Sequence, residues 1–147
     1  MKHATECDEV WHAGDWGNHE GLIKSLRGKT LRGVYGNIDS HILRSQFPED
    51  LSFEIEGLKV YMIHIGGYPG KYRKIVKERL LELQPDLYVC GHSHICKIMK
   101  DNKLNLLHIN PGAIGVKGFH KKRTMVKFGI DNGKLIDVQV LEYDRNV

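Results

Sequence analysis

The sequence lacks any long apolar run. No stretch of its 147 residues approaches the roughly 20 consecutive apolar residues that a membrane span needs, which excludes a transmembrane helix. Cysteine is scarce. Cys7, Cys90 and Cys96 are odd in number and unevenly spaced, so they do not read as a disulfide framework, and a reducing cytoplasm is the expected compartment. Charge of one sign is also modest: 22 Lys and Arg against 18 Asp and Glu leave a net +4. That excess suits an anionic ligand but does not by itself point to nucleic acid. No repeat, linker or low-complexity segment is present. With 41% hydrophobic and 27% charged residues, the chain reads as one globular domain over residues 1–147 with a usable core.

Histidine is plentiful, nine in this length, and several stand beside Gly or Asp. Residues Glu9 to Ala13 read as a short buried strand running into Gly14-Asp15. Asn18 is the expected N-cap of a helix over His19 to Arg27, stopped by Gly28. Leu31 to Tyr35 is a second strand ending at Gly36-Asn37, and the strand–helix–strand order favours parallel pairing. A hairpin is expected from Leu51–Ile55 and Lys59–Ile63, ending at His64. Lys71 to Leu83 reads as an amphipathic helix with Ile75, Val76, Leu80 and Leu83 inward, closed by Pro85. Asp86 to Cys90 is a buried strand ending at Gly91-His92. Later strands are expected at 95–99, 104–109, 124–130 and 135–143, the last two joined by the turn Asp131-Asn132-Gly133. Residues Met1 to Cys7 read as the tail of a helix that began earlier.

Asp15, Asn37, His64, His92 and His94 therefore all sit just beyond strand ends. In α/β sheets the loops outside the carboxyl ends of strands converge on ligands, so these five side chains can share one pocket. Carboxylate, amide oxygen and imidazole suit manganese, iron, zinc or nickel. An aspartate can bridge two ions about 4 Å apart, the arrangement that activates water and neutralises a phosphoryl group. Taken singly, such residues have plainer readings. His12 and His108 are expected to be hydrogen-bonded core residues, and His3, His19, His41 and His120 solvated. A structural zinc site of Cys90, His92, His94 and Cys96 is disfavoured, because one short strand cannot wrap four ligands around an ion. Cys90 reads instead as a small core residue. Two basic clusters, Lys71/Arg73/Lys74/Lys77 and Lys117/Lys121/Lys122/Arg123, read first as solvated faces, the second with the option of steering an anionic substrate. Trp16 and Tyr68 either line the pocket or merely pack.

The ordered set Gly14-Asp15, Gly36-Asn37-Ile38-Asp39, His64, Gly91-His92-Ser93-His94 and Asn110-Pro111-Gly112 resembles the calcineurin-like metallophosphoesterase superfamily. The spacing is similar to its small prokaryotic phosphodiesterase branch, which also contains the scaffold subunit of the eukaryotic retromer. The resemblance implies a four-layer α/β/β/α sandwich of two mixed β-sheets flanked by helices, and a site for two divalent metal ions, manganese first, with zinc, nickel or iron as alternatives. It implies that Asp15 bridges the ions, that Asn37, His64 and His92 complete the second metal site, and that His94 belongs to the first. Asp15, Asn37 and His64 are the expected catalytic residues. Asp39 would orient its neighbours, and the Asn110-Pro111-Gly112 turn would support the pocket wall.

Two departures bear on the chemistry. Where many members carry a histidine after the asparagine, this chain has Ile38. The family also opens with a strand ending in Asp-x-His, and no such segment occurs here, so the first strand is expected to be absent from this chain through truncation or a wrong start. A metal-poor first site, lower stability and dimerisation through the gap are expected consequences. The expected function is hydrolysis of a small phosphoester, more readily a diester, by metal-bound hydroxide. The alternative is a weakly active or inactive protein-binding scaffold. No membrane partner is expected, nor nucleic acid through Lys117 to Arg123, and a homodimer is allowed.

Overall fold

The computed structural model describes residues 7–16, 19–26, 28–115 and 122–144. The expected helix tail before Cys7, the Asn18 cap, His3, His120, Lys117 and Lys121 lie outside these residues. Strand β1 (Glu9–His12) pairs in parallel with β2 (Thr30–Gly33), with helix α1 (His19–Ser25) between them in sequence. Past the helix, Lys29 N–H donates back to the Leu26 carbonyl at 2.9 Å, and Gly28 takes a positive φ, the stop expected of it. A short helix α2 (His41–Gln46) was not foreseen. Its start is set by the Ser40 hydroxyl, which accepts from Leu43 N–H at 3.2 Å, a cap legible in the sequence but attached to too few apolar residues to show a period.

The central sheet has the order β3 (Asp50–Ile55), β4 (Leu58–Ile63), β7 (Leu87–Val89), β9 (Leu106–Pro111), β8 (Cys96–Asp101). β4, β7 and β9 run parallel, and β3 and β8 are antiparallel edges. The expected helix from Lys71 starts later. Residues Gly67–Tyr68 (β5) and Lys71–Tyr72 (β6) form a tight hairpin first, and helix α3 covers Lys74–Leu83. It ends with Gln84 in the left-handed conformation, just before Pro85. Strands β10 (Lys122–Asp131) and β11 (Lys134–Asp144) form the expected long hairpin.

Two apolar clusters hold these layers together. On one face of the central sheet, Tyr61, Ile63, Tyr88, Cys90 and Leu106 pack against Val76 and Leu80 of α3. Here one expectation fails. Ile75 points to solvent at 58% exposure, because the residue next to Val76 is rotated about 100° around a helix of 3.6 residues per turn. Val76, Leu80 and Leu83 suffice to cover the sheet. On the other face, Val60, Met62, Leu87, Val89 and Ile109 meet Ala13 and Val34, with Trp11, Val126, Phe128 and Leu135 packed around them. The β1–β2 pair and the β10–β11 hairpin thus form a second layer of strands over the central sheet. Leu26, just past α1, and Leu43 of α2 are buried as well. The mixed α/β architecture expected from the sequence is present. Among the described residues no helix is long and apolar enough to cross a membrane.

His108 is buried within the central sheet, its ring stacked on Tyr88 and its Nδ1 3.3 Å from the Tyr88 carbonyl. Burial pulls its pKa down from 6.5 to about 4, so the folded chain keeps it neutral where the unfolded chain protonates it. Its contribution is therefore fully present above pH 6.5. Stability falls as the pH drops from there to about 4, by about 2–3 kcal/mol for a shift of this size. Urea unfolding across that range should show the slope, and His108→Phe should flatten it.

Candidate metal centre

The parallel strands bring four loops to one end of the two sheets. β1 delivers Gly14-Asp15, β2 delivers Gly36-Asn37, β4 delivers His64, and β7 delivers Gly91-His92-Ser93-His94. Backbone bonds tie these ends together: Gly91 N–H donates to the His64 carbonyl at 2.9 Å, and Val34 N–H to the His12 carbonyl at 3.1 Å. Gly14 has a φ of +102°, and a Cβ there would lie 2.5 Å from the His64 ring, so only glycine lets β1 pass that close to the imidazole.

Donor atoms from Asp15, His64 and His92 lie within 4.8 Å of one another. His64 Nε2 is 3.1 Å from Asp15 Oδ2 and 3.0 Å from Asn37 Oδ1. His92 Nδ1 is 3.2 Å from the same Asn37 Oδ1, and His94 Nε2 is 4.0 Å from Asp15 Oδ2. The structure therefore gathers all five sequence-derived residues. His64 Nδ1 sits 2.7 Å from the Ala13 carbonyl, an oxygen that only accepts, so Nδ1 carries the proton. Nε2 is then the ring nitrogen that faces a carboxylate and an amide oxygen. Three such atoms converging at about 3 Å call for a positive charge among them, a proton or a metal cation. Separations near 3 Å also match neighbouring ligands around an ion with bonds of about 2.1 Å, and the donor types fit the first-row divalent metals.

Asp39 organises this cluster from behind. Its Oδ2 accepts from Asp15 N–H at 2.9 Å and Gly36 N–H at 2.6 Å, and its Oδ1 from Trp16 N–H at 2.7 Å. One carboxylate thereby fastens the first glycine-led loop to the second. Ile38 N–H donates to Asp15 Oδ1 at 3.2 Å, which leaves Oδ2 facing the histidines. Asn110, buried, donates its amide to the Gly91 carbonyl and the Ser93 hydroxyl, both at 3.0 Å, and so supports the His92–His94 loop. Asp15, His92 and His94 all have φ near +60 to +70°. Such backbone costs of order 1–3 kcal/mol per residue and is retained where a side chain must be aimed.

Other expected residues fall as follows. Trp16 packs rather than lines the centre, stacked between His12 and Phe47 with its Nε1–H on the Val34 carbonyl. Tyr68 lies at the surface under Lys97, whose Nζ is 3.9 Å from its ring. Cys90 is buried, and burial pushes its thiol up to about 11, as befits an inert core residue. The positive φ of His92 and His94 breaks the strand alternation that a Cys90/His92/His94/Cys96 site would need. His41 is exposed. Within the second basic cluster, Lys122 pairs with Asp144 at 2.7 Å and Arg123 holds the Ile114 carbonyl. Sequence reasoning passed over Arg44, which bonds the carbonyls of Asp39 and Asn37 at 3.1 and 3.0 Å. It sits in the helix that went unrecognised.

Comparison with known proteins places the chain in a family. A "Probable metallophosphoesterase" of Methanothermobacter thermautotrophicus is 31% identical over 136 residues, covering 92% of this chain and 76% of that protein. A crystal structure of a Vps29 mutant from Entamoeba histolytica superposes with a TM-score of 0.71 at 14% identity, over 97% of this chain and 87% of that one. A structure described as a novel archaeal phosphodiesterase gives 0.70 at 20% identity, over 95% and 86%. Those two likenesses speak to the fold. The family model "Calcineurin-like phosphoesterase superfamily domain" matches residues 1–133, and with the curated relative it makes this chain a member of the calcineurin-like phosphoesterase superfamily.

Proposed function

We propose that this chain is a metal-dependent phosphodiesterase whose ions are held by Asp15, Asn37, His64, His92 and His94. The observation that carries the reading is the His64 ring, whose Nδ1 proton is committed to Ala13 while Nε2 faces two oxygens at about 3 Å. Divalent ions bound there would lower the pKa of a bound water and neutralise charge on the phosphoryl oxygens. Asp15 Oδ2 supplies the negative charge that balances the cation, and Ile38 N–H keeps its other oxygen turned away. Asn37 and the two nearer histidines complete a neutral donor set. Ile38, 66% exposed beside them, offers no proton. The leaving oxygen therefore takes its proton from water or from another group of the site.

The test is hydrolysis of bis(p-nitrophenyl) phosphate and of p-nitrophenyl phosphate with manganese, zinc, nickel, iron(II) or magnesium. The expected result is turnover of the diester above that of the monoester, strongest with manganese and abolished by EDTA. Folded protein that turns over neither ester with any of these metals would remove the proposal. One observation favours the scaffold alternative: Ile95, Ile98 and Met99 stand exposed at and just after the His92–His94 loop, Ile95 at 63%, a surface suited to a partner. A stable protein complex lost on Ile95→Asp, with no hydrolysis, would select it.

A further inference from the structure

A cleft of about 200 Å³ opens beside the donor cluster, and Asn37 and His64 form part of its wall. Tyr35, Arg44, Glu49 and Arg73 line the rest. The two guanidinium groups are each anchored on backbone rather than on an acid. Arg73 Nη1 donates to the Ile65 carbonyl at 2.7 Å, one residue past His64. Arg44 donates to the Asn37 and Asp39 carbonyls, and its guanidinium lies 4.8 Å over the Tyr35 ring. Among the described residues neither arginine has a carboxylate within ion-pair distance. Glu49 shares the cleft but does not neutralise them, so two positive charges stand against one negative charge before any metal is counted. Arg73 spends one of its five N–H donors on that bond, and Arg44, which also reaches the Gly36 carbonyl at 3.5 Å through Nη2, keeps its Nη1 donors. A guanidinium held in place by backbone carbonyls is well suited to phosphate, because less freedom is lost on binding.

Resting on the phosphodiesterase reading, we infer that the substrate is a phosphodiester that carries a second, non-scissile phosphate on one ester arm, and that Arg44 and Arg73 hold this second phosphate. The size of the cleft agrees. About 200 Å³ gives room for a phosphate and the first atoms of its ester. The rest of the substrate lies outside, so recognition is of charge placed at a fixed distance from the scissile phosphorus.

The probes are the thymidine dinucleotides TpT and pTpT, which differ only in a terminal 5′-phosphate. With manganese, pTpT should show a kcat/KM at least tenfold higher, carried by KM, and the advantage should shrink as salt rises. Arg73→Gln should cut the advantage to twofold or less, and Arg73→Lys should restore part of it. Arg44→Lys is the second variant, chosen because it keeps a donor near the Asn37 carbonyl. Equal kcat/KM for the two probes in the parent protein, or an equal loss on both in Arg73→Gln, overturns the inference; the latter would place the arginine on the scissile phosphate. If neither dinucleotide is cleaved, the aryl diester assay decides the phosphodiesterase reading separately. Binding measured calorimetrically in EDTA then decides: tighter pTpT than TpT, lost in Arg73→Gln, supports the arginine cleft, and equal binding overturns it.

Discussion

Asp15→Asn is expected to lower kcat/KM for an aryl phosphodiester by about 10³-fold or more at saturating manganese while leaving the protein folded. Losing one electrostatic stabiliser of a transition state typically costs 10²–10³, and here the same change also weakens the hold on the ion. Among the described residues Asp15 is the one carboxylate in the donor cluster; without it, imidazoles and an amide must hold a divalent cation alone. Asparagine is the sharper variant because Asp15 has a φ of +59°, which asparagine tolerates and alanine does not. The amide oxygen can still accept from Ile38 N–H. Thermal melts separate the two effects. In the parent, a metal at 100 times its Kd stabilises by about 2.7 kcal/mol, and the midpoint should rise accordingly. In the variant, added manganese should leave the midpoint unmoved. A variant that keeps a tenth of the parent's activity would show that Asp15 does not hold the metal.

Asp39→Ala is expected to cost about 3 kcal/mol of stability, together with most of the activity. The carboxylate accepts from three backbone N–H groups, those of Asp15, Trp16 and Gly36. A hydrogen bond to a charged acceptor contributes about 1.5–3 kcal/mol, and partial exposure lets water replace some of the loss. For a chain of this size each kcal/mol moves the midpoint by roughly 3 °C, so a drop of about 10 °C is expected by calorimetry. Asp39→Asn should be nearly as damaging, because an amide NH₂ would confront one of the donors. The activity loss follows from position: Asp39 does not face the donor atoms, but it fixes the peptide from which Asp15 projects. A variant with a parental midpoint would mean the two loops are held by other contacts.

The five residues that meet at the candidate site were legible in the sequence for a physical reason. A parallel strand must end at the same edge as its neighbours, so a polar residue after each apolar run marks a common place even across the 79 residues that separate Asp15 from His94. Asp39 was legible only through family resemblance; nothing in its spacing says that three amides converge on it. The β5–β6 hairpin before α3 was hidden because Lys71 and Tyr72 fit a helical pattern as well as a strand, and Gly70 at φ +91° settled the turn. Ile75 was misplaced because apolar character alone does not separate the covered stripe of a helix from its margin. Arg44 and Arg73 were missed as site residues because their role depends on backbone carbonyls of other loops, and carbonyls leave no mark in a sequence.

The hydrogen bond from His64 to Ala13 joins the end of β4 to the end of β1, strands that belong to different sheets. Neither sheet alone can therefore form the centre. On refolding from urea, circular dichroism should recover while local hairpins and helices form, and the ability to capture metal should lag until the long-range docking of one layer on the other is complete. A fluorescent metal competitor would then serve as a clock for that last step, reporting the moment at which two separately assembled surfaces become one molecule.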